Sequence, residues 1–118
     1  MGDDNALWVP LLEKAFAKLY GNYAHIEGGL PSLAINALTG APYDINNHGV
    51  AGDLTIDALW TKLVNLNLAG EIIMSGTPGK FDSTTNSVGI VQGHAYNVLD
   101  LKTLSTGQRL IRMFNPWS

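Results

Sequence analysis

The chain has 118 residues, a mass of 12.7 kDa and a formal net charge of -3 from 7 basic and 10 acidic side chains. That length makes one small domain, or part of one, and excludes a multidomain enzyme. Hydrophobic residues make up 46% and charged residues 14%, a composition too apolar for a disordered chain and with less charge than the roughly 25% of average domains.

The low charge implies that part of the surface belongs against something else. Neither the net charge nor any basic run points to nucleic acid or to an anionic membrane. No apolar stretch reaches the roughly 20 residues of a membrane helix. The start, Met1-Gly2-Asp3-Asp4, is acidic where a secretory signal is basic. A soluble, cytoplasmic protein is the expectation. There is no cysteine, so these residues hold no disulfide, thiolate metal site or thiol nucleophile.

The first predicted element is an amphipathic helix. Leu7, Trp8, Leu11, Leu12, Ala15, Phe16 and Leu19 form its apolar stripe. Asp4 or Asn5 can cap it, Pro10 falls in its first turn, and Gly21 can end it. Tyr23 and Ile26 follow in a tail closing at Gly28-Gly29. A second helix is expected over Ser32 to Leu38, capped by Ser32 and stopped by Gly40. Residues 40–53 hold Gly, Pro, Asp and Asn and read as loop. A third helix runs from about Thr55 to Leu68, with Asp53 or Thr55 as cap and Gly70 beyond its end. Trp8, Phe16 and Trp60 are expected in the core.

Glu71 to Ser75 reads as a short strand, and residues 76–88 as loop. Residues 94–101 and 109–114 read as two strands joined through Ser105-Thr106-Gly107. Helices followed by strands predict an α+β fold.

Of the three histidines, His25 lies in a helix tail and His48 in a loop beside Asn46 and Asn47. Both read as solvated or structural. His94 opens a strand directly after Gly93. A hairpin turn centred between residues 104 and 105 would set His94 directly opposite Asn115. Opposed pairs share a face, with Cβ atoms roughly 4.5–5.5 Å apart. The asparagine carbonyl could then fix the tautomer of a general-base imidazole. The plain alternative is a polar pair at a hairpin mouth, and a one-residue bulge would break the pairing.

Other motifs fail. Gly76-Thr77-Pro78-Gly79-Lys80 has two residues between its glycines where a phosphate loop needs four, and Phe81 follows Lys80. Asp44 with His48, and Asp53 with Asp57, read as turn and cap residues rather than metal ligands.

Gly93-His94-Ala95-Tyr96-Asn97-Val98, with Leu110-Ile111-Arg112-Met113-Phe114-Asn115-Pro116-Trp117, resembles the calpain family of papain-like cysteine proteases. The helix from Leu7-Trp8 to Tyr20, Glu27-Gly28-Gly29 and Leu38-Thr39-Gly40 also match that family's pattern. The resemblance implies His94 as catalytic general base, Asn115 as its orienting partner, and Trp117 as the tryptophan shielding them. It implies the C-terminal half of a papain-like protease core: residues 1–28 close the first half-core, and residues 29–118 form the second.

The family's nucleophile is a cysteine in the other half, roughly 130–150 residues upstream of the His in papain-like enzymes. Ala6 stands where the family usually has an acidic calcium ligand, and Ser118 where a glycine follows the tryptophan. The resemblance implies calcium for the intact enzyme, and none is expected in this chain alone. A protein substrate and a missing Cys-bearing half-core are the implied partners. Without the thiol these residues are expected to be inactive alone. The sequence fits a fragment of a longer protease, or a catalytically inactive calpain-like module that binds a protein.

Overall fold

A computed structural model describes residues 6–117. The fold is α+β, as expected. The helices are α1 (Trp8–Leu19), α2 (Pro31–Thr39) and α3 (Ile56–Leu68), with a short 3-10 helix at Tyr23–Ile26. The strands are β1 (Met74–Gly76), β2 (Ala95–Thr103) and β3 (Arg109–Phe114). The chain divides into two compact units, Met1–Gly40 and Ala41–Ser118. Among the described residues no helix is long and apolar enough to cross a membrane.

In the first unit, Leu7 occupies the N-cap position of α1 without a side-chain cap, and Pro10 falls in the first turn. The caps expected at Asp4 or Asn5 lie outside the described residues. The predicted apolar stripe is helical but mostly uncovered: Trp8 is 66% exposed and Leu11 63%, whereas Ala17, off that stripe, is 3% exposed. Trp8 is therefore not a core residue. Phe16 is half-buried and packs on Tyr20, with ring centroids 4.7 Å apart. Asn22 caps the 3-10 turn by accepting from the His25 N–H.

Ser32 does not cap α2. Leu30 holds the cap position and Pro31 opens the helix, where its fixed φ suits the first turn and its missing N–H costs nothing. Gly40 ends α2 in the left-handed conformation, φ 71°.

In the second unit, the Thr55 side chain caps α3 by accepting from the Ala58 N–H. Two charge contacts tie α3 to the rest of this unit. Lys62 pairs with Asp44, and Arg109, at the start of β3, pairs with Asp57 at 2.6 Å. The Arg109 guanidinium also lies 5.5 Å from the ring centroid of Trp60, a favourable cation–π placement. Trp60 is half-buried under that cation rather than enclosed in a core.

The sheet is antiparallel in the order β1-β2-β3. β1 starts later than the predicted Glu71, because its ladder with β2 runs only from Met74↔Asn97 to Gly76↔Ala95. The β2–β3 turn forms at the expected Ser105-Thr106-Gly107, closed by Leu104 N–H to Gln108 O at 2.8 Å.

The hairpin register differs from the expected one. It runs from Thr103↔Arg109 to Asp100↔Arg112, then shifts at Leu99 to Val98↔Met113 and Asn97↔Phe114. Continued, it sets Tyr96 opposite Asn115 and His94 opposite Trp117. His94 and Asn115 are thus diagonal neighbours, not a direct pair. The shift at Leu99 also decides the face. An unbroken ladder from the turn would pair even numbers with even, placing His94 and Asn115 on opposite faces. One extra residue changes that parity. The bulge that would break a direct pairing is what brings these two side chains to one side.

Candidate active site

His94 precedes β2, and Asn115 follows β3. Both are half-buried. His94 Nε2 lies 2.8 Å from Asn115 Oδ1. The protonation of this contact follows from a third residue. The Trp117 backbone N–H donates to the same Asn115 Oδ1 at 3.0 Å. A main-chain N–H can only donate, so that amide atom is the oxygen. An amide oxygen only accepts, so His94 Nε2 must carry the proton. In the neutral ring this leaves the lone pair on Nδ1, the atom a base would use.

Two aromatic rings bound the imidazole. The Trp117 ring is 4.4 Å away, centroid to centroid, tilted by 56°. Tyr96, two residues along the same face, meets His94 edge-on at 4.9 Å and 87°. Tyr96 is 8% exposed, the one buried hydrophobic side chain among the described residues of this unit, while Trp117 is 54% exposed. All three residues singled out from the sequence, His94, Asn115 and Trp117, therefore meet at one hairpin mouth.

The backbone of His94 is held as well. Thr77 N–H donates to His94 O at 2.9 Å, and His94 N–H donates to Thr77 Oγ1 at 3.0 Å. Thr77 Oγ1 donates to Val91 O at 2.7 Å, and Val91 N–H donates to the Tyr96 hydroxyl at 3.0 Å.

Just beyond, Gly79 and Gly93 touch backbone to backbone. Gly93 N–H donates to Pro78 O at 3.1 Å. A Cβ on Gly79 would stand 2.8 Å from Gly93 N. The segment that fails as a phosphate loop is thus the support under His94. Sequence reading missed Thr77 and Gly79, because the Thr77 partners lie 14 and 17 residues away and no periodicity links them.

The other titratable candidates stay apart. His25 Nδ1 donates to Tyr20 O at 2.8 Å, closing the end of α1. His48 lies exposed in a turn. Lys62 holds the Asp44 carboxyl below its ordinary pKa, first through its hydrogen bond and then through its charge. Among the described residues no three His, Cys, Asp or Glu side chains converge to hold a metal ion. Calcium takes about six to eight oxygen ligands, carboxylates among them, and no cluster of three such acidic side chains forms among the described residues.

A family model described as calpain family cysteine protease matches residues 1–118. The chain is 40% identical to the calpain-type cysteine protease DEK1 of Zea mays over 117 residues, covering 97% of this chain and 5% of that protein. It is 35% identical to human calpain-9 over 118 residues, covering 98% of this chain and 17% of that one. It is 34% identical to the calpain-like protease palB/RIM13 of Aspergillus oryzae over 116 residues, covering 97% and 13% respectively. The chain therefore spans a small part of each of these relatives. With the whole sequence matched by the family model and nearly all of it aligned to these proteases, the chain belongs to the calpain family of cysteine proteases.

Proposed function

We propose that His94 and Asn115 serve as general base and orienting partner in a calpain-like cysteine endopeptidase of the papain-like fold, whose nucleophilic cysteine lies outside these 118 residues. One observation carries this. Asn115 Oδ1, identified by its Trp117 N–H donor, takes up His94 Nε2 and leaves Nδ1 to act.

In that reaction the cysteine S–H gives its proton to His94 Nδ1, and the thiolate attacks the scissile carbonyl carbon. The imidazolium passes the proton to the departing amine nitrogen as the C–N bond breaks, leaving a thioester. His94 then takes a proton from water, the resulting hydroxide attacks the thioester, and the proton returns to sulfur as the C–S bond breaks. Asn115 keeps the ring in one tautomer throughout.

The exposed apolar side chains of Leu7, Trp8, Leu11 and Leu19 support a Cys-bearing half-core as the partner. Residues 1–28 would belong to the end of that half, and residues 29–118 to the second. A cytoplasmic, reducing setting suits a free thiol. Calcium would serve the intact enzyme, as membership of the calpain family suggests.

The test is hydrolysis of an unstructured protein, such as casein, by the full-length protein that carries these residues. Activity blocked by iodoacetamide and abolished by His94→Ala is the expected result. Activity that survives His94→Ala would sink the assignment.

The exposed apolar side chains of α1 also fit a second reading, a catalytically inactive calpain-like module that binds a protein partner. A full-length protein with no cysteine upstream, no hydrolysis, and one specific protein co-purifying would establish it.

A further inference from the structure

The hydroxyl of Thr77 lies between the two ends of the turn that presents His94. We propose that Thr77 is a positioning residue for the His94 imidazole, acting through the backbone on either side of it. The inference builds on the reading of His94 as the base.

A threonine hydroxyl has one proton and two lone pairs. Here the proton goes to Val91 O at 2.7 Å, and a lone pair accepts His94 N–H at 3.0 Å. The longer contact to His94 O, at 3.2 Å, shares the same proton, and that carbonyl already has the Thr77 N–H at 2.9 Å. One residue thus satisfies both main-chain groups of His94 and the entry to its turn.

Between these anchor points the chain turns sharply, with Gly93 N–H donating to Pro78 O at 3.1 Å. Gly93 sits at φ +56°, a left-handed conformation that glycine adopts without steric cost. Without the Thr77 hydroxyl, His94 N–H and Val91 O lose these partners at a half-buried site. The root of the side chain would then be tied only through His94 O, which keeps the Thr77 N–H, and through Gly93 N–H to Pro78 O, and its amide side could shift. Asn115 holds only the far end of the ring, at Nε2, so a displaced root swings Nδ1 away from its partner. A misplacement of about 1 Å costs up to about a hundredfold in rate without touching the reacting atoms.

Tyr96 completes the arrangement. Its hydroxyl accepts Val91 N–H, so both faces of the Val91 residue are tied to groups beside the imidazole.

The experiment uses the full-length protease with Thr77→Val, Thr77→Ser and His94→Ala, reading kcat and KM separately. Valine keeps the volume and removes the hydroxyl; serine keeps the hydroxyl. Thr77→Val should lower kcat by about tenfold to a hundredfold, with KM little changed and Thr77→Ser restoring most of the rate. The pH dependence of iodoacetamide alkylation gives a second readout, because a displaced imidazole no longer favours the thiolate; Thr77→Val should move that profile upward.

Normal kcat in a folded Thr77→Val enzyme, with His94→Ala inactive, overturns the role of Thr77 and leaves the base assignment standing. Equal loss in the valine and serine variants also overturns it, since packing rather than the hydroxyl would then matter. Full activity in His94→Ala overturns the base assignment itself. Should Thr77→Val fail to fold, Thr77→Ala removes the same hydroxyl with no added bulk and is judged by the same results.

Discussion

Asn115 holds His94 by Nε2, at 2.8 Å, and is itself oriented by the backbone N–H of Trp117, two residues further on, at 3.0 Å. The amide oxygen cannot turn away from the imidazole without abandoning a main-chain donor. This short closure, from Asn115 to Trp117, sets the imidazole tautomer.

Replacing Asn115 with Ala removes that closure while leaving His94 in place. In the full-length protease, kcat should fall by about 10- to 100-fold, the range of a misplaced catalytic group. KM should change little, because the amide is assigned to the base and not to the substrate. Steady-state kinetics on a fluorogenic peptide measures both. An unchanged kcat would show that Asn115 does not orient the ring.

Gly79→Ala should damage the support under His94. The added Cβ would stand 2.8 Å from Gly93 N, and the residue sits at φ +136°, which L side chains rarely adopt. A loss of about 1–3 kcal/mol is expected from the strained backbone alone. Gly49→Ala is a control that separates φ from contact: its φ is +81° and a Cβ there meets nothing within 4 Å. Urea unfolding midpoints of the two variants should rank Gly79→Ala as the more damaging.

Helix α1 offers a contrast in burial. Leu11 is 63% exposed, whereas Ala17 is 3% exposed. For the 118-residue chain, Leu11→Ser should change stability by no more than about 0.5 kcal/mol. Ala17→Leu should cost about 1–3 kcal/mol through overpacking. In the intact protease Leu11→Ser should become costly, if the proposed half-core covers that face. Thermal unfolding of both proteins reads the difference.

The Asp44–Lys62 pair predicts the sign of one acid effect. Lys62 lowers the Asp44 pKa from its ordinary 3.8 in the folded chain. The stabilisation is therefore complete above the unfolded value and is lost as pH falls through the lower folded value. Lys62→Met should weaken this part of the acid dependence, seen as a smaller drop in urea midpoint below about pH 4. The Asp44 side chain is 70% exposed, so added salt should reduce the effect in the wild-type chain as well.

Local chemistry was legible from residues alone. The stripe of α1, the Thr55 cap, the Gly40 stop and the Ser105-Thr106-Gly107 turn all depend on side chains a few positions apart. The α2 start differs from the expected one because Pro31 outranks Ser32 as a helix opener. The β1 limits differ from the expected ones because they are set by a partner strand about 20 residues away.

By itself, the sequence determined which residues could do chemistry: a histidine after Gly93, an asparagine before Pro116, a tryptophan after it, and no thiol. Those are properties of residue type and order. Only the tertiary structure decided that they meet. The extra residue at Leu99 shifts the hairpin register, and a shift of one position exchanges the two faces of a strand, since side chains alternate with a period of two. Tertiary structure likewise decided that Thr77 and Gly79 lie under His94, because hydrogen bonds across a long loop leave no periodic trace in the chain that forms them.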